Sequence, residues 1–272
     1  MMKSAVTISL VAEARQGPFV FHDGLENGCA AAARHGFDAV EVFPPAAGAI
    51  DRSELAALLE HHQLALAAVG TGGGWLTRGL HLTHPDAEVR REAREFIREI
   101  IGVAAVFGAP AIIGSMQGRA EPGVTREQAL VWLADALADL GDHAAELGTA
   151  LLYEPLNRYE THLFHRQADA AEYLTDNHLK NVRLLCDLFH MNIEEACIAT
   201  TFRALGDHVG HVHFADSNRR AIGFGHTDAA SAVAALREIG YTGYLSAEIQ
   251  PLPDAESAAA QAMKSFRQLV PL

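Results

Sequence analysis

Short apolar runs recur along the chain, and each is followed by a segment whose apolar residues fall on one helical face. A short apolar run between Gly, Pro or charged residues is typical of a buried strand, and apolar residues three and four positions apart indicate an amphipathic helix. The pattern predicts eight strands, at residues 5–11, 39–43, 64–69, 111–114, 150–153, 182–186, 208–212 and 243–247. It also predicts eight helices, at residues 25–35, 51–61, 83–107, 125–147, 167–176, 195–205, 231–239 and 254–269.

The strict alternation of strands and helices predicts the architecture. A strand, a helix and a second strand in succession give a parallel pair, and eight such units close into a (β/α)8 TIM barrel of about 250 residues. The chain has 272 residues, so we predict one barrel domain over residues 1–272. Active sites of TIM barrels lie at the carboxyl ends of the strands, so candidate catalytic residues are expected there.

Four successive predicted strands end on a side chain that can bind a metal ion. Glu154 follows the fifth strand, and Asp187, His213 and Glu248 follow the sixth, seventh and eighth. A carboxylate at the tip of a buried strand is costly unless something binds it. Because the carboxyl ends of parallel strands share one rim, we expect the four side chains to meet there.

Three carboxylates and one imidazole at one place predict a cation site. Without a cation the carboxylates repel each other and their pKa values rise. Oxygen-rich ligation with one His and no thiolate suits Mn²⁺, Mg²⁺ or Co²⁺ better than a structural zinc. We therefore predict one divalent metal ion, Mn²⁺ in the first place, with Mg²⁺ and Co²⁺ as alternatives. The competing interpretation is that each residue is a buried polar group satisfied by its neighbours.

Other polar residues lie near the predicted rim. His211 and His213 point to the same side of the seventh strand; His213 is nearer the rim and is the predicted ligand, whereas His211 is predicted to be a hydrogen-bonded core histidine. Gln117 and Arg119 follow the fourth strand and are expected on the same rim as Glu154. The apolar run of the second strand contains Glu41, to which we assign no role.

Residues 71–75 contain three consecutive glycines followed by Trp75. Glycines in this arrangement can surround a phosphate, but no Gly-Lys-Ser or Gly-Lys-Thr follows, which excludes a P-loop. We predict a loop over the site, with Trp75 packing on it.

Charge and composition narrow the range of partners. The formal net charge is −13, and a nucleic-acid backbone needs clustered Lys and Arg, so nucleic acid is not an expected partner. No apolar run reaches the roughly 20 residues of a membrane helix, so no membrane partner is expected. The three cysteines are not spaced as a disulfide framework and predict reduced thiols in a cytoplasmic protein. The first 14 residues faintly resemble a signal peptide, but the strand interpretation is preferred.

Three stretches and one single residue together resemble a known family. The stretches are 154–160 (Glu-Pro-Leu-Asn-Arg-Tyr-Glu), 187–195 (Asp-Leu-Phe-His-Met-Asn-Ile-Glu-Glu) and 211–219, and the single residue is Glu248. They are similar to the ketose 3-epimerases, the group of D-tagatose 3-epimerase and D-allulose 3-epimerase. This group belongs to the sugar phosphate isomerase/epimerase superfamily, which has a xylose-isomerase-like barrel fold. The stretch 187–195 is the most specific of these motifs.

The resemblance implies roles for individual residues. It implies four metal ligands, which are Glu154, Asp187, His213 and Glu248. It implies that Glu154 and Glu248 are also the acid/base pair, which inverts C3 of a ketose through a cis-enediolate. It implies three residues that bind the sugar near its carbonyl, which are His190, Arg219 and Glu160. The expected partner is a small-molecule sugar, and the expected assembly is a homo-oligomer, a dimer or a tetramer.

Three other functions remain open at this point. The first is an aldose–ketose isomerase of hydroxypyruvate or sugar-phosphate type on the same barrel. The second is a repair nuclease, because endonuclease IV proteins share this barrel and the Asp-x-x-His pattern at 187–190, although they need several more zinc-binding residues. The third is a sugar-binding barrel without catalysis, for which added Mn²⁺ would give thermal stabilisation but no turnover.

Overall fold

The computed structural model of the protein describes residues 1–119 and 121–271. Its eight parallel strands pair in chain order and form a closed barrel, in which β1 contacts both β2 and β8. Strands β1 to β8 are Lys3–Ser9, Ala39–Phe43, Ala65–Gly70, Ala111–Ile113, Leu151–Tyr153, Val182–Asp187, Val209–His213 and Tyr244–Ala247. The predicted (β/α)8 TIM barrel is confirmed, and the N-terminal apolar run is its first strand.

The described residues also form ten α-helices. Helices α1 to α10 are Gly24–His35, Arg52–His62, Gly73–Arg78, Ala87–Ala105, Arg126–Glu146, Gln167–Asp176, Leu188–Glu194, Ile198–Leu205, Ala229–Glu238 and Ala255–Leu269. Eight of them agree with the predicted helices to within a few residues at each end. The other two, α3 and α7, are short, and both follow the carboxyl end of a strand.

Side-chain caps start several helices where the sequence predicts them. The Asp51 carboxylate accepts hydrogen bonds from the backbone N–H groups of Ser53 and Glu54 at 2.8 and 3.0 Å. The Asp254 carboxylate accepts one from the backbone N–H of Ser257 at 2.8 Å. Each cap satisfies a backbone donor that the first helical turn leaves free.

The prediction of a loop at residues 71–75 is wrong, because the chain forms helix α3 there. Glycine has a low helix propensity, which is why the sequence argued against a helix. These glycines are instead required by close packing. A Cβ on Gly73 would lie 2.3 Å from the carbonyl oxygen of Pro44, and one on Gly74 would lie 2.9 Å from the sulfur of Met116.

Helix α7 begins directly after the sixth strand, with Asp187 as its N-cap. The Asp187 carboxylate accepts a hydrogen bond from the backbone N–H of Phe189 at 2.7 Å. One of the two carboxylate oxygens therefore starts the helix, while the other points to the barrel rim. The helix carries His190 one turn later, on the same side as Asp187.

Apolar side chains fill the space between the barrel and its helices. On α4, for example, Phe96, Ile97, Ile100 and Ile101 are buried, and each such side chain stabilises the fold by about 1.5–3 kcal/mol. The three cysteines are free thiols. Within the described ranges, none of the helices has the length and apolar character needed to cross a membrane.

Candidate active site

The four predicted metal ligands meet at the carboxyl end of the barrel. The Nδ1 atom of His213 lies 3.4 Å from Oε1 of Glu154, 3.6 Å from Oδ2 of Asp187 and 3.4 Å from Oε2 of Glu248. All four donor atoms lie within 4.8 Å of one another, and all four residues are buried. We call these four residues the ligand cluster. The sequence placed each of them correctly, because each ends one of four successive strands.

The ligand cluster fits a divalent cation. Within the described residues, Glu154 Oε1, Asp187 Oδ2 and His213 Nδ1 are buried without any hydrogen-bond partner. Buried polar atoms are nearly always paired, so three such atoms in one place indicate a missing partner. Metal–ligand bonds of about 2.0–2.2 Å put neighbouring donor atoms roughly 3–3.5 Å apart, which is close to the separations in the cluster.

A fourth carboxylate, that of Glu41, contacts the ligand cluster from the barrel interior. Oε1 of Glu41 lies 3.0 Å from Nε2 of His213, and its Oε2 lies 2.7 Å from Nε2 of His211. Burial opposes the ionisation of Glu41, but the two histidines outweigh it and hold its pKa below the usual value. An ionised Glu41 accepts a hydrogen bond from the Nε2–H of His213, which leaves Nδ1 free to bind a cation. The prediction of His211 as a hydrogen-bonded core histidine is confirmed.

The environments of two cluster carboxylates push their pKa values apart. Burial raises the pKa of Glu154, and the nearby charge of Glu248 adds to the effect. Burial also opposes the ionisation of Asp187, but the neighbouring His190 and the positive charge of Arg219 outweigh it and lower its pKa. A group with a raised pKa can hold or release a proton, whereas one with a lowered pKa remains an anionic ligand.

The main chain of Glu154 is fixed by Gln117. The side-chain amide of Gln117 donates to the carbonyl oxygens of Gly114 and Glu154, both at 2.9 Å, and its own carbonyl accepts from the Tyr153 hydroxyl at 2.7 Å. Glycine at position 114 leaves room for this carboxylate, since a Cβ there would lie 2.5 Å from Oε2 of Glu154. The prediction of Gln117 on the same rim as Glu154 is confirmed.

His190 presents one ring nitrogen to the ligand cluster. The backbone N–H of Asn157 donates to Nδ1 of His190 at 3.2 Å, so in the neutral ring the proton sits on Nε2. Nε2 lies 3.9 Å from Oε1 of Glu154 and 3.7 Å from Oδ2 of Asp187. His190 therefore offers an N–H donor at the edge of the cluster.

Arg219 and Glu160 complete this side of the site. The guanidinium of Arg219 lies 2.5 Å from Oε2 of Glu248 and 3.4 Å from Oδ2 of Asp187. It also lies 4.7 Å from the centre of the Phe189 ring, which supports it from one face. The carboxylate of Glu160 is 3.9 Å from the Arg219 guanidinium and about half exposed. The three predicted sugar-binding residues thus lie together beside the ligand cluster.

The ligand cluster opens into a cavity of about 380 Å³. Its lining includes Glu154, Glu160, His190, Arg219 and Glu248 on one side. The other side is lined by residues at or after the carboxyl ends of the first three strands, among them Glu13, Phe19, Phe43, Thr71, Trp75 and Leu76. The position of Trp75 at the site, predicted from the sequence, is confirmed.

Comparison with known proteins identifies the family. Residues 29–269 match the family model described as "Xylose isomerase-like TIM barrel". The chain belongs to this family. Over 229 residues it is 31% identical to the L-ribulose 3-epimerase of Methylomonas sp. (strain DH-1). This match covers 83% of this chain and 78% of that protein. Over 113 residues it is 41% identical to the 3-dehydro-D-guloside 4-epimerase of Escherichia coli (strain K12). This match covers 42% of this chain and 43% of that protein.

A solved structure supports the same assignment. The crystal structure of D-allulose 3-epimerase from Methylomonas sp. in complex with D-allulose matches this member of the xylose isomerase-like family with a TM-score of 0.81 at 26% identity. The match covers 98% of this chain and 97% of that chain. The resemblance to ketose 3-epimerases read from the sequence is confirmed, and the similar proteins are sugar epimerases.

In this family member, one further residue shapes the loop that carries Arg219. Asp216, which is 1% exposed, accepts hydrogen bonds from the backbone N–H groups of Ser217, Gly223, Gly225 and Thr227 at 2.7–2.9 Å. These bonds close the loop after β7, and Arg219 itself has a positive φ of 58° within it. Asp216 therefore positions Arg219 through the loop backbone.

The sequence interpretation missed Glu41 and Asp216 as functional residues. Glu41 could have been found, because a carboxylate inside an otherwise apolar strand needs a partner, and His211 lay two residues before a predicted ligand. Asp216 gave a weaker signal, since an Asp before Ser-Asn in a loop is typical of ordinary turns.

Proposed function

We propose that the protein is a divalent-metal-dependent epimerase that inverts C3 of a ketose. The observation that carries the proposal is the pair of buried carboxylates, Glu154 and Glu248, which directly follow β5 and β8 and each lie 3.4 Å from Nδ1 of His213. The similar proteins named above are epimerases that act on sugars, which supports this reaction class. These similar proteins favour an epimerase over the aldose–ketose isomerase that the sequence left open as an alternative.

Inversion of C3 needs one group to remove the C3 proton and another to return a proton to the opposite face. Glu154 and Glu248 are the proposed pair, because they reach the cluster from well-separated strands and would flank a bound sugar. Burial and the charge of Glu248 raise the pKa of Glu154, which favours a role for this carboxyl group in proton exchange. A divalent ion bound by the ligand cluster would stabilise the negative charge that develops on the C2 and C3 oxygens.

The remaining polar residues are proposed to hold the sugar. The Nε2–H of His190 and the guanidinium of Arg219 are donors that can bind oxygens near the carbonyl. Glu160, whose Oε1 accepts from the Asn157 side chain at 2.8 Å, can accept a hydrogen bond from a hydroxyl group. Mn²⁺ is the proposed ion, with Mg²⁺ and Co²⁺ as alternatives, since oxygen-rich sites with one imidazole suit all three.

Deuterium exchange tests the proposal. The protein is incubated with Mn²⁺ in D₂O and with D-fructose or D-allulose, and the products are analysed by NMR. We expect deuterium at C3 and interconversion of the two ketoses. Deuterium at C1 with formation of an aldose would identify an aldose–ketose isomerase instead. Thermal stabilisation by Mn²⁺ and sugar without any exchange would indicate a binding protein.

A further inference from the structure

Two of the stretches that resemble ketose 3-epimerases contain polar residues that the proposed mechanism does not use. In the loop after β5 these include Asn157 and Arg158, and in α7 they include Glu194. Hydrogen bonds join the loop to the helix at these residues. The junction lies beside His190 and Glu160, two of the residues proposed to hold the sugar.

Asn157 uses its side-chain amide on both of these sugar-binding residues. The residue is 1% exposed. Its Nδ2 atom lies 2.8 Å from Nδ1 of His190 and 2.8 Å from Oε1 of Glu160. The orientation of the amide is fixed, because its Oδ1 accepts from the backbone N–H of Tyr159 at 2.9 Å. Asn157 therefore holds His190 and Glu160 at the same time.

The contacts of Asn157 also decide which tautomer His190 adopts. The backbone N–H of Asn157 is directed at Nδ1 of His190 as well, at 3.2 Å, so two donors face this one nitrogen. An amide nitrogen cannot accept a hydrogen bond, so Nδ1 has to be the acceptor. The proton of the neutral ring then lies on Nε2, which faces the ligand cluster. The donor proposed to bind a sugar oxygen thus depends on Asn157.

Glu194 fastens the segment that contains Asn157 to helix α7. Its side chain is 4% exposed and accepts three hydrogen bonds from Arg158. The donors are the backbone N–H at 2.7 Å, Nε at 2.9 Å and Nη2 at 2.8 Å. Glu194 lies four residues after His190, so the two side chains share one face of the helix. The loop is therefore held at two points that are one helical turn apart.

The pair of Glu194 and Arg158 differs from an ordinary surface ion pair. The pair of Arg203 and Glu238, for comparison, joins side chains that are 47% and 53% exposed, and such pairs contribute little to stability. The Glu194 carboxylate is buried and bonds to the main chain of Arg158 as well as to its guanidinium. Charge-assisted hydrogen bonds of this kind are strong, and here they fix the path of the backbone next to Asn157.

We propose that Asn157 and Glu194 are positioning residues for the sugar. Asn157 orients His190 and Glu160 together, and Glu194 locks the segment that carries Asn157 onto α7. This inference rests on the proposed function, in which His190 and Glu160 hold the ketose. A misplacement of about 1 Å can lower a rate by about 10²-fold, so the acid/base pair requires a correctly held C3. Neither residue belongs to the ligand cluster, so Mn²⁺ affinity should not depend on them.

Asn157→Asp tests the orientation of His190 with little change in shape. The new carboxylate can still accept from Tyr159, but it presents an oxygen to Nδ1 of His190 and repels Glu160. In ¹⁵N NMR spectra of the Mg²⁺-loaded protein at about pH 8, above the ordinary pKa of an imidazole, Nδ1 of His190 should change from a nitrogen without a proton to an N–H. His190→Gln identifies the signals by their loss. With Mn²⁺ and D-fructose, kcat/KM should fall by about 10²-fold.

Asn157→Ala provides a second measurement, which also applies if Asn157→Asp does not fold. Its effect on kcat/KM should be severalfold smaller in a Glu160→Ala background than in the wild type, because Asn157 acts in part through Glu160. Effects that multiply fully would show that Asn157 acts independently of Glu160 and would contradict the role.

Glu194→Gln tests the attachment of the loop to α7. The amide places an N–H against the donors of Arg158, so we expect kcat/KM to fall by about tenfold or more, with Mn²⁺ content unchanged. Glu238→Gln is the matched control, since it removes the exposed pair with Arg203 and should retain full activity. Loss of Mn²⁺ together with activity in Glu194→Gln would indicate a general structural effect and would count against the positioning role.

The outcomes separate this inference from the proposed function. Unchanged kcat/KM in a folded Asn157→Asp or Glu194→Gln protein, or an Nδ1 of His190 that stays without a proton in Asn157→Asp, overturns the positioning role and leaves the epimerase. A wild-type protein that binds D-fructose in calorimetry without epimerising it overturns the proposed reaction. In that case, weaker D-fructose binding by both variants would still support the positioning role, and unchanged binding would overturn it as well.

Discussion

Glu41 and His213 lie on strands that are not neighbours, yet Oε1 of Glu41 is 3.0 Å from Nε2 of His213 across the barrel interior. Both side chains are fully buried. The carboxylate fixes which ring nitrogen carries the proton and thereby directs Nδ1 to the three ligand-cluster carboxylates. The same carboxylate also forms a hydrogen bond with His211. One residue of β2 therefore fixes two side chains of β7, one of which is the predicted ligand His213.

Substitution of Glu41 should therefore weaken metal binding without removing a ligand. Loss of such a supporting group typically costs 10–100-fold in metal affinity, and we expect a loss of about this size for Mn²⁺ in Glu41→Gln. Affinity is measured by calorimetry on protein whose fold is checked by circular dichroism. Glu172→Gln, at an exposed position of α6, serves as the control. A folded Glu41→Gln protein with unchanged Mn²⁺ affinity would contradict the role.

Addition of Mn²⁺ should stabilise the protein strongly, because three buried polar atoms of the ligand cluster lack partners without it. At a free ion concentration of 100 times Kd, the gain in the free energy of unfolding is about 2.7 kcal/mol. For a chain of this size that corresponds to a Tm increase of roughly 5–10 °C. Chelation by EDTA should reverse the increase. An Asp187→Asn variant that still shows the full increase would place the ion elsewhere.

Arg219 should contribute to catalysis and not to metal retention, since a guanidinium cannot bind a cation. We expect Arg219→Ala to lower kcat/KM by about 10²-fold, as for the loss of one donor to developing charge. The metal content, measured by mass spectrometry, should remain near one ion per chain. Arg203→Ala, which removes an exposed pair with Glu238, is the control and should keep full activity. Loss of the ion in Arg219→Ala would count against the assignment.

The ligand cluster could be predicted from the sequence because the signal for each ligand lies in the residues directly before it. Each ligand directly follows an apolar run, and the alternation of runs and helices places all run ends on one rim. Short-range signals likewise located the helix starts at Asp51 and Asp254, where the cap and its partners are two or three residues apart.

The parts that the sequence did not reveal depend on contacts between distant segments. Glu41 meets His211 and His213 at 170 and 172 residues further along the chain. Its position in an apolar run shows that it needs a partner, but not which distant residue that partner is. The glycines at the start of α3 suggested a loop. Gly73 is instead required because the backbone of Pro44 packs against it and leaves no room for a Cβ. Both features become visible only when the barrel is closed.

His81 should make stability depend on pH. Its side chain is 2% exposed, and burial, together with the charges of His84 and Arg119, lowers its pKa to about 4. The nearest carboxylate, that of Glu121, is 3.9 Å away. Native His81 therefore stays neutral between pH 6.5 and 4, while the unfolded chain takes up a proton in that window. The free energy of unfolding should fall as the pH falls through the window, by about 3 kcal/mol in all, and level off below it.

Urea unfolding between pH 7.5 and 4 tests this contribution. Wild type and His81→Asn are compared in EDTA, so that the titration of the ligand cluster is common to both. The variant should lose less stability than the wild type over the window, whatever its stability at pH 7.5. Parallel curves for the two proteins would show that His81 is not the titrating group.

Glu154 and Glu248 should each exchange the C3 proton of one epimer only. They directly follow β5 and β8, which are three positions apart in the barrel, and each is 3.4 Å from Nδ1 of His213. Glu248→Gln removes one base, so epimerisation should cease, while Glu154 continues to exchange the C3 proton of a single epimer slowly with solvent. Because a carboxylate ligand becomes an amide, the assay needs saturating Mn²⁺ and a metal count. A fully metallated Glu248→Gln protein that epimerises at the wild-type rate would refute the two-base mechanism, and exchange of both epimers at equal rates would assign all proton transfer to Glu154.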